Sequence, residues 1–228
     1  MPRIPPMTRL ILLGIALLAL PSTGCVRLAA GPVVRGSGVK ATRARQVDTF
    51  DRIDLRGSLN LEWSAGDQPT LEIVTDENLL DLVVTQVRSG TLLLSTRGSC
   101  SSRLGITVRV TSPALEEVKI AGSGDARLEG LTGSRFSVII RGSGDVVASG
   151  AVDRLEVDIQ GSGDAQAFAL PARLVSVSIA GSGDAEVEAI EALEVSIAGS
   201  GDVIYHGDPP RIERRVHGSG DVIHRPLS

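Results

Sequence analysis

The tetrapeptide Gly-Ser-Gly-Asp occurs six times in the second half of this 228-residue chain. Successive copies lie 18 to 20 residues apart, and they begin at Gly122, Gly142, Gly161, Gly181, Gly199 and Gly218. Such regular spacing is typical of one structural unit stacked on itself, because a unit of about 19 residues cannot bury an apolar face alone. The repeat therefore predicts a solenoid.

Apolar and polar residues alternate on both sides of each tetrapeptide. The position two residues before its first glycine holds Ile120, Ile140, Ile159, Ile179, Ile197 and Val216. A period of two predicts β-strands with one buried face. We therefore expect an all-β fold, a right-handed parallel β-solenoid (β-helix-like) with coils of about 19 residues, in which like residues stack on like. The chain is long enough for about nine such coils.

The tetrapeptide is expected to form the sharp corner between two strands. Its glycines can adopt positive φ, and its aspartate can accept hydrogen bonds from N–H groups of the same turn. Leu55 to Asn60 looks like a degenerate corner, and Glu77 to Leu82 could form one helical turn. Near the C-terminus, Arg214 stands at a position that is apolar in the other coils. A charge on an exposed last coil hinders the addition of another strand.

The corner aspartates should form a ladder along one edge of the solenoid. They are Asp125, Asp145, Asp164, Asp184, Asp202 and Asp221. Neighbouring carboxylates about 4.8 Å apart repel by roughly 1 kcal/mol per pair even in bulk water. Backbone hydrogen bonds, protonation or a bound cation could offset this repulsion. Calcium or another hard cation between the aspartates is therefore a hypothesis beside a purely structural corner; we predict no other cofactor.

The N-terminus has the features of an export signal. Arg3 and Arg9 precede an apolar run, Leu10 to Leu20, which is too short to span a bilayer. Cys25 directly follows Gly24, and this resembles the lipobox of bacterial lipoproteins, which implies acylation of Cys25. An ordinary cleavage site is the alternative. We expect a signal peptide at 1–24, a lipidated flexible tether at 25–46 and the solenoid at 47–228.

The charge of the chain limits its partners. Without residues 1–24, which contain two arginines and no acidic residue, 21 basic and 27 acidic side chains remain, a formal net charge of −6. An acidic chain is not expected to bind nucleic acid or anionic lipid head groups. We therefore expect no nucleic-acid partner, and contact with the membrane only through the N-terminal lipid.

Other residue types give weaker signals. A polysaccharide-cleaving site needs an irregular cluster of acids, commonly beside aromatic platforms, whereas these acids are regular and aromatic residues make up only 2% of the chain. His206, His217 and His224 stand at different offsets from the aspartates, which favours surface or cap positions over a metal site. Trp63 is expected to pack in an early coil. Cys100 is expected to be a small buried residue, with an intermolecular bridge or a reactive thiol as the alternative.

Short motifs occur in a characteristic order from Val47 to the C-terminus. Before the repeat they are Phe50-Asp51-Arg52-Ile53, Leu61-Glu62-Trp63 followed by Gly66-Asp67, Val74 to Leu80, and Gly90-Thr91-Leu92. Together with the Gly-Ser-Gly-Asp coils, this order resembles the head GIN domain family of auto-transporter adhesins. The resemblance implies a β-helix-like, exported protein of the bacterial envelope, with no established catalytic residues.

These observations predict a non-enzymatic cell-envelope lipoprotein, anchored to a membrane with its head in the periplasm or on the outer membrane. Its solenoid surface is expected to act as an adhesin or binding module for a polysaccharide or an envelope protein. One alternative is a structural or signalling-associated envelope protein without its own ligand, and a third is a polysaccharide-acting enzyme. The sequence leaves the ligand, the functional face and the oligomeric state open.

Overall fold

Strands make up most of the chain, and they are longest in the repeat region. The computed structural model describes residues 33–226. The strands are β1 (Val34–Arg35), β2 (Lys40–Arg45), β3 (Arg52–Gly57), β4 (Asn60–Ala65), β5 (Thr70–Asp76), β6 (Val83–Arg88), β7 (Thr91–Thr96), β8 (Cys100–Ser101), β9 (Thr107–Ser112), β10 (Glu117–Gly122), β11 (Ala126–Gly133), β12 (Phe136–Gly142), β13 (Val146–Gly161), β14 (Ala165–Gly181), β15 (Ala185–Gly199), β16 (Val203–His206), β17 (Arg211–Gly218) and β18 (Val222–His224). A 3-10 helix, Glu77–Leu82, lies between β5 and β6, where one helical turn was predicted.

The strands form two stacks around one apolar core. Face A contains, in spatial order, β6, β7, β3, β10, β12, the C-terminal parts of β13, β14 and β15, and β17. Face B contains β2, β5, β9, β4, β11, the N-terminal parts of β13, β14 and β15, then β16 and β18. The long strands pass from face B to face A, and the tetrapeptides lead back from face A to face B.

The repeat sets the register between coils. Ile120 pairs with Ile140, and the same column continues through Ile159, Ile179 and Ile197, all at most 1% exposed. The first glycines of the tetrapeptides pair in the same way. Each such isoleucine, buried on folding, contributes about 1.5 to 3 kcal/mol through the hydrophobic effect. The predicted β-solenoid with parallel pairing of like residues is confirmed.

The solenoid has about 5 turns of around 20 residues, fewer than the nine coils predicted. The difference arises in the first half, which has no Gly-Ser-Gly-Asp repeat to impose regular corners. There β2 pairs antiparallel with β5, β5 with β9, and β6 with β7. Strand β10 stacks on β3 although β5 to β9 intervene in sequence. The strands before β10 therefore pair both parallel and antiparallel, and we call them the cap of the regular coils.

The folded part begins earlier than the predicted boundary at Val47. Strand β1 pairs with β8, and β2 pairs with β5 over its whole length. The tether predicted for residues 25–46 is therefore wrong for its C-terminal part, because backbone hydrogen bonds incorporate residues 34–45 into the cap. Residues 25–32, and the signal peptide predicted at 1–24, lie outside the described residues.

A buried carboxylate holds this N-terminal segment. Asp76 is fully buried at the end of β5 and accepts hydrogen bonds from the Gly38 N–H, at 2.5 Å, and from the Ser102 hydroxyl. These donors, Ser102 first, hold the pKa of the Asp76 carboxyl below its usual value. A carboxyl with a lowered pKa stabilises the fold at neutral pH, and this stabilisation is lost as the pH falls through that pKa.

The two glycines of each tetrapeptide have different physical roles. The first has a φ of 141° to 149°, a region that disfavours other residues, and its carbonyl lies directly beneath the first glycine of the next coil. The second glycine has ordinary φ. A Cβ there would lie about 2 Å from a backbone oxygen of the coil below, for example 2.2 Å from Gly144 O at Gly163. The expectation of positive φ therefore holds only for the first glycine.

The last coil is open to solvent. Arg214 pairs in register with Val195 but is exposed, and Val216 is 40% exposed. The charge in an otherwise apolar column fits the predicted protection of a sheet edge. Among residues 33–226, no helix is long and apolar enough to span a membrane.

We predict that Gly181→Ala destabilises the solenoid far more than Gly133→Ala. Both glycines have similar positive φ, +149° and +143°, but a Cβ at Gly181 would lie 2.0 Å from Gly161 O, whereas a Cβ at Gly133 meets no atom within 4 Å. Backbone strain alone costs about 1 to 3 kcal/mol and is common to both variants. Chemical denaturation should show a clearly larger loss of unfolding free energy for Gly181→Ala. Equal losses would contradict the close-approach argument.

Candidate functional site

The corner aspartates form a hydrogen-bonded ladder. The Oδ1 of each aspartate accepts the backbone N–H of the aspartate one coil later, at donor–acceptor distances of 2.7 to 3.1 Å, from Asp145 on Asp125 to Asp221 on Asp202. The predicted site residues therefore lie together along one ridge. Each accepting carboxylate is held by a charge-assisted hydrogen bond, and this bond offsets the repulsion between the carboxylates of successive coils.

The aspartate side chains were expected to accept hydrogen bonds from N–H groups of their own turn. This expectation is wrong, because the donor belongs to the next coil. The N–H groups of the corner are already in use: Ser143 N–H, for instance, donates to Gly122 O of the preceding coil at 2.9 Å. Parallel stacking places the free aspartate N–H over the carboxylate below. The Asp side chain therefore connects neighbouring coils.

The degenerate corner predicted at Leu55 to Asn60 is present, and in the structure it also begins the ladder. Asn60 Oδ1 accepts the Asp125 N–H at 3.3 Å, so an amide replaces the carboxylate on the first rung. Gly57 pairs with Gly122 in register. Leu59 takes the place of the second glycine and is fully buried, and no tetrapeptide corner lies beneath it. The first rung therefore needs neither the second glycine nor the charge.

The hypothesis of a hard cation at the ladder stays a prediction of the sequence. Within the described part of the chain, no group of three or more His, Cys, Asp or Glu side chains is arranged to hold a metal ion. Hard cations such as calcium favour six to eight oxygen ligands. Each rung presents one carboxylate, and one of its oxygens already accepts an N–H.

A groove of about 550 Å³ lies on the outer side of face B. Its floor consists of β5, β9, β4 and β11, whose outward side chains form a row in register: Glu72, Arg109, Glu62 and Arg127. Because neighbouring strands lie about 4.8 Å apart, these side chains alternate in charge at close and regular spacing. These four side chains supply both donors and acceptors and have no net charge together, and Glu129 adds one further carboxylate to the lining.

Arg109 is the centre of this row. Its Nε donates to Glu62 Oε2 at 2.8 Å and its Nη1 to Glu72 Oε2 at 3.3 Å. The hydrogen bond to Glu62, then the charge of Glu62, raises the pKa of the Arg109 guanidinium above its usual value. All three side chains are about half exposed, so their free polar atoms are accessible from solvent.

The three histidines were predicted to lie on the surface or on the C-terminal end of the stack, and His206 departs from this prediction. It is buried, and its Nε2 lies 2.8 Å from Glu186 Oε1, an oxygen that Arg225 also approaches to 3.3 Å. The stacking of successive coils brings Phe168 beside the ring, at 6.1 Å between ring centroids, and Arg225 to the Glu186 carboxylate. His217 and His224 are exposed, as predicted.

Trp63 and Cys100 have structural positions. Trp63 is 3% exposed, and its indole N–H donates to Ser112 Oγ at 2.9 Å, which confirms a packing role. Cys100 is a free, half-buried thiol on β8 that packs against the core. Neither residue presents its side chain as a platform for a ligand.

The sequence did not indicate the groove. Glu62, Glu72 and Arg109 each occupy an outward position of an alternating strand, but Arg109 lies 47 and 37 residues from its partners. Nothing in that region repeats, so no column could be aligned. The antiparallel pairing of β5 with β9 was the missing information.

The comparisons with known proteins identify related sequences and folds. The sequence profile of a family described as "Putative auto-transporter adhesin, head GIN domain" matches residues 49–209. No curated protein sequence matches the chain.

Several crystal structures have a similar fold. One, described as "a putative adhesin" from Bacteroides fragilis, has a TM-score of 0.70 at 24% identity over 84% of this chain and 100% of its own. Another, described as "Putative lipid binding protein" from Parabacteroides distasonis, has a TM-score of 0.57 at 26% identity over 85% and 100%. A third, a "putative adhesin" from the same species, has a TM-score of 0.58 at 21% identity over 85% and 100%.

We predict that the ladder needs the oxygen of its aspartates and does not need their charge. Asp164→Asn keeps an Oδ1 acceptor for the Asp184 N–H and removes one of three adjacent charges, so the unfolding free energy should be unchanged or slightly higher. Asp164→Ala removes the acceptor and should cost about 1 kcal/mol. Denaturant melts of both variants test this. A stable Ala variant beside a destabilised Asn variant would contradict the role of the hydrogen bond.

Proposed function

We propose, since this chain belongs to the head GIN domain family of auto-transporter adhesins, that it is a lipid-anchored adhesive module of the bacterial cell envelope. The row of Glu72, Arg109, Glu62 and Arg127 in the face B groove is the observation that carries the binding function. The anchor rests on Cys25 and its sequence context, which belong to the predicted export signal.

The chemistry of the groove favours an uncharged, hydroxyl-rich polymer. Its carboxylates accept hydrogen bonds and its guanidinium groups donate them, so both polar atoms of a hydroxyl group find partners. The charges of these four side chains balance within the row, and the one further carboxylate of the lining, Glu129, can accept a hydrogen bond from a hydroxyl group. We therefore infer a neutral polysaccharide as the preferred ligand, with an extended segment of an envelope protein as the second choice.

The rigidity of the sheet supports this function. Side chains on paired strands lose less conformational freedom on binding than side chains on mobile loops, so weak hydrogen bonds can add up along an extended ligand. The open groove also leaves both ends of such a ligand free. These properties fit adhesion to a long polymer better than capture of a small molecule.

Acid–base catalysis is less well supported. A glycosidase needs one carboxylic acid that stays protonated near neutral pH, commonly in an apolar pocket. Glu62 and Glu72 are half exposed, and both accept hydrogen bonds from Arg109, so neither carboxyl lies in an apolar pocket. A binding role accounts for this arrangement directly.

We predict that Arg109→Ala weakens binding to the responsive polysaccharide at least tenfold. The change removes the donor at the centre of the row and leaves Glu62 and Glu72 without their shared partner. The measurement is retention of purified protein on a panel of insoluble neutral polysaccharides and peptidoglycan. Arg173→Ala is the matched control, since it breaks a similar exposed ion pair, with Glu191 at 2.8 Å, outside the groove.

Three outcomes separate the candidate functions. Equal losses in the two variants would contradict a role of the groove. No retention on any polymer would favour a structural or signalling-associated envelope protein without its own ligand. Release of soluble sugar during incubation would favour an enzyme instead.

The anchor has its own prediction. Cells that express the chain should incorporate radiolabelled palmitate into it, and Cys25→Ala should abolish the labelling, because acylation of a lipoprotein requires the thiol. Cys100→Ser is the control and should be labelled normally. Equal labelling of Cys25→Ala and the unchanged chain would exclude this anchor.

A further inference from the structure

Charge is distributed unevenly along the solenoid. Residues 113–226 contain 10 basic and 18 acidic side chains, whereas residues 33–112, which include the strands of the cap, contain 10 basic and nine acidic ones. Within the latter, residues 33–46 contain four basic side chains and no acidic one. The net negative charge of the chain therefore belongs to the regular coils, and the cap at the other end of the stack is not acidic.

The cap also has exposed apolar residues. Four large apolar side chains there are 39% to 54% exposed, and four exposed basic side chains belong to the same two segments, 33–40 and 97–104. We name these eight residues the cap patch: Val33, Val34, Val39, Leu104, Arg35, Lys40, Arg97 and Arg103. Single exposed apolar residues are common on protein surfaces, but a group of this size with basic neighbours is typical of an interaction site.

The fold holds the two segments of the cap patch together. Strand β1 pairs with β8, so Val34 lies opposite Cys100 and Arg35 opposite Ser101, and Gly36 N–H donates to Ser101 O at 2.8 Å. The buried Asp76 connects the same two segments through Gly38 and Ser102. The two segments of the cap patch are therefore fixed relative to each other.

The basic side chains of the cap patch are available to a partner. None of the four makes an ion pair with another residue in the range 33–226, in contrast to Arg43, which pairs with Asp81 at 2.5 Å. Exposed apolar groups beside unpaired cations have the composition of surfaces that bind at the head-group level of a bilayer. Each cation near an anionic lipid surface strengthens binding by roughly fivefold.

The chain places this surface near the anchor. Seven residues lie between Cys25 and Val33, and the eight residue-to-residue steps extend over at most about 28 Å even when fully stretched. The cap patch begins at Val33, so an acylated Cys25 would keep it within that distance of the bilayer. The last coil is at the far end of the stack.

We propose that the cap patch docks on the anionic head groups of the membrane that holds the lipid anchor, and so orients the solenoid with its last coil away from the bilayer. This inference rests on the proposed acylation of Cys25. The net charge of the chain argued against anionic lipid as a partner. The docking proposal differs, because the net charge is dominated by the acidic coils and does not report the basic residues of the cap patch.

A fluorescence-quenching experiment on the processed, acylated protein tests the orientation. In a Cys100→Ser background, Leu104→Cys or Ile223→Cys provides a single thiol for a fluorophore, on the cap patch or on the last coil; both native residues are exposed. The protein is reconstituted into vesicles that contain phosphatidylglycerol and a lipid with a head-group spin label. We expect quenching at position 104 to exceed quenching at position 223 at least fivefold. Equal quenching in protein that co-sediments with the vesicles would overturn the proposal.

Charge reversal shows whether the basic residues are responsible. The combined Arg35→Glu, Lys40→Glu, Arg97→Glu and Arg103→Glu variant should lose most of the quenching at position 104. The matched control reverses four exposed arginines of the coils, Arg141, Arg154, Arg211 and Arg214, and should retain it. Circular dichroism of both variants verifies folding. An unchanged signal in the folded, acylated cap variant overturns the docking proposal and leaves the anchor standing, whereas failure of palmitate labelling overturns the anchor and, with it, the docking that rests on it.

Discussion

The close approach of successive corners is the constraint on which the structure depends. At each tetrapeptide, the backbone of one coil lies so near the next that a Cβ would fall about 2 Å from a carbonyl oxygen. Only glycine fits at that distance. The corner in turn keeps the two strands in register, so that Ile120 stacks on Ile140 and both side chains are fully buried. The hydrophobic core therefore supplies most of the stability, and the glycines determine that its columns align.

A regular stack places every residue of its unit next to an equivalent residue, so a charged position is repelled by its copies on the coils above and below. Identical aspartates on consecutive coils repel one another, but each carboxylate accepts a backbone N–H of the next coil, so the same repetition provides the compensating bond. Acidic residues accumulate in the coils for the same reason. The irregular cap is free of that repetition, and there a row of alternating charges, which extends onto β11, and a group of exposed basic and apolar side chains can form. The coils form the regular stack, and both proposed binding surfaces lie at or next to the cap.

The two proposed contacts fit one arrangement of the molecule. A lipid at Cys25 and the cap patch would hold one end of the solenoid at the bilayer, and the face B groove would remain open at the side. The last coil, with Arg214 in the apolar column, is protected against strand addition and ends the stack. Such a module would present a rigid surface a short distance above a membrane.

The repeat region could be predicted almost entirely from the sequence. The spacing of Gly-Ser-Gly-Asp identifies the solenoid, the corner, the aspartate ladder and the stacked isoleucines, because each is a local pattern that stacking merely repeats. Even the first rung at Asn60 was recognisable from its similarity to the other copies.

The cap was decided by tertiary structure. Strands β2, β5 and β9 pair antiparallel, β10 stacks on β3 past the intervening strands, and Arg109 meets Glu62 and Glu72 across tens of residues. Alternation of polar and apolar residues predicts that a segment is a strand, but it does not specify which strand is its neighbour. In the coils the repeat itself provides that information, because equivalent residues must stack. In the cap, only the burial of Asp76 and of the apolar faces against particular partners determines the pairing, and these contacts exist only once the chain has folded.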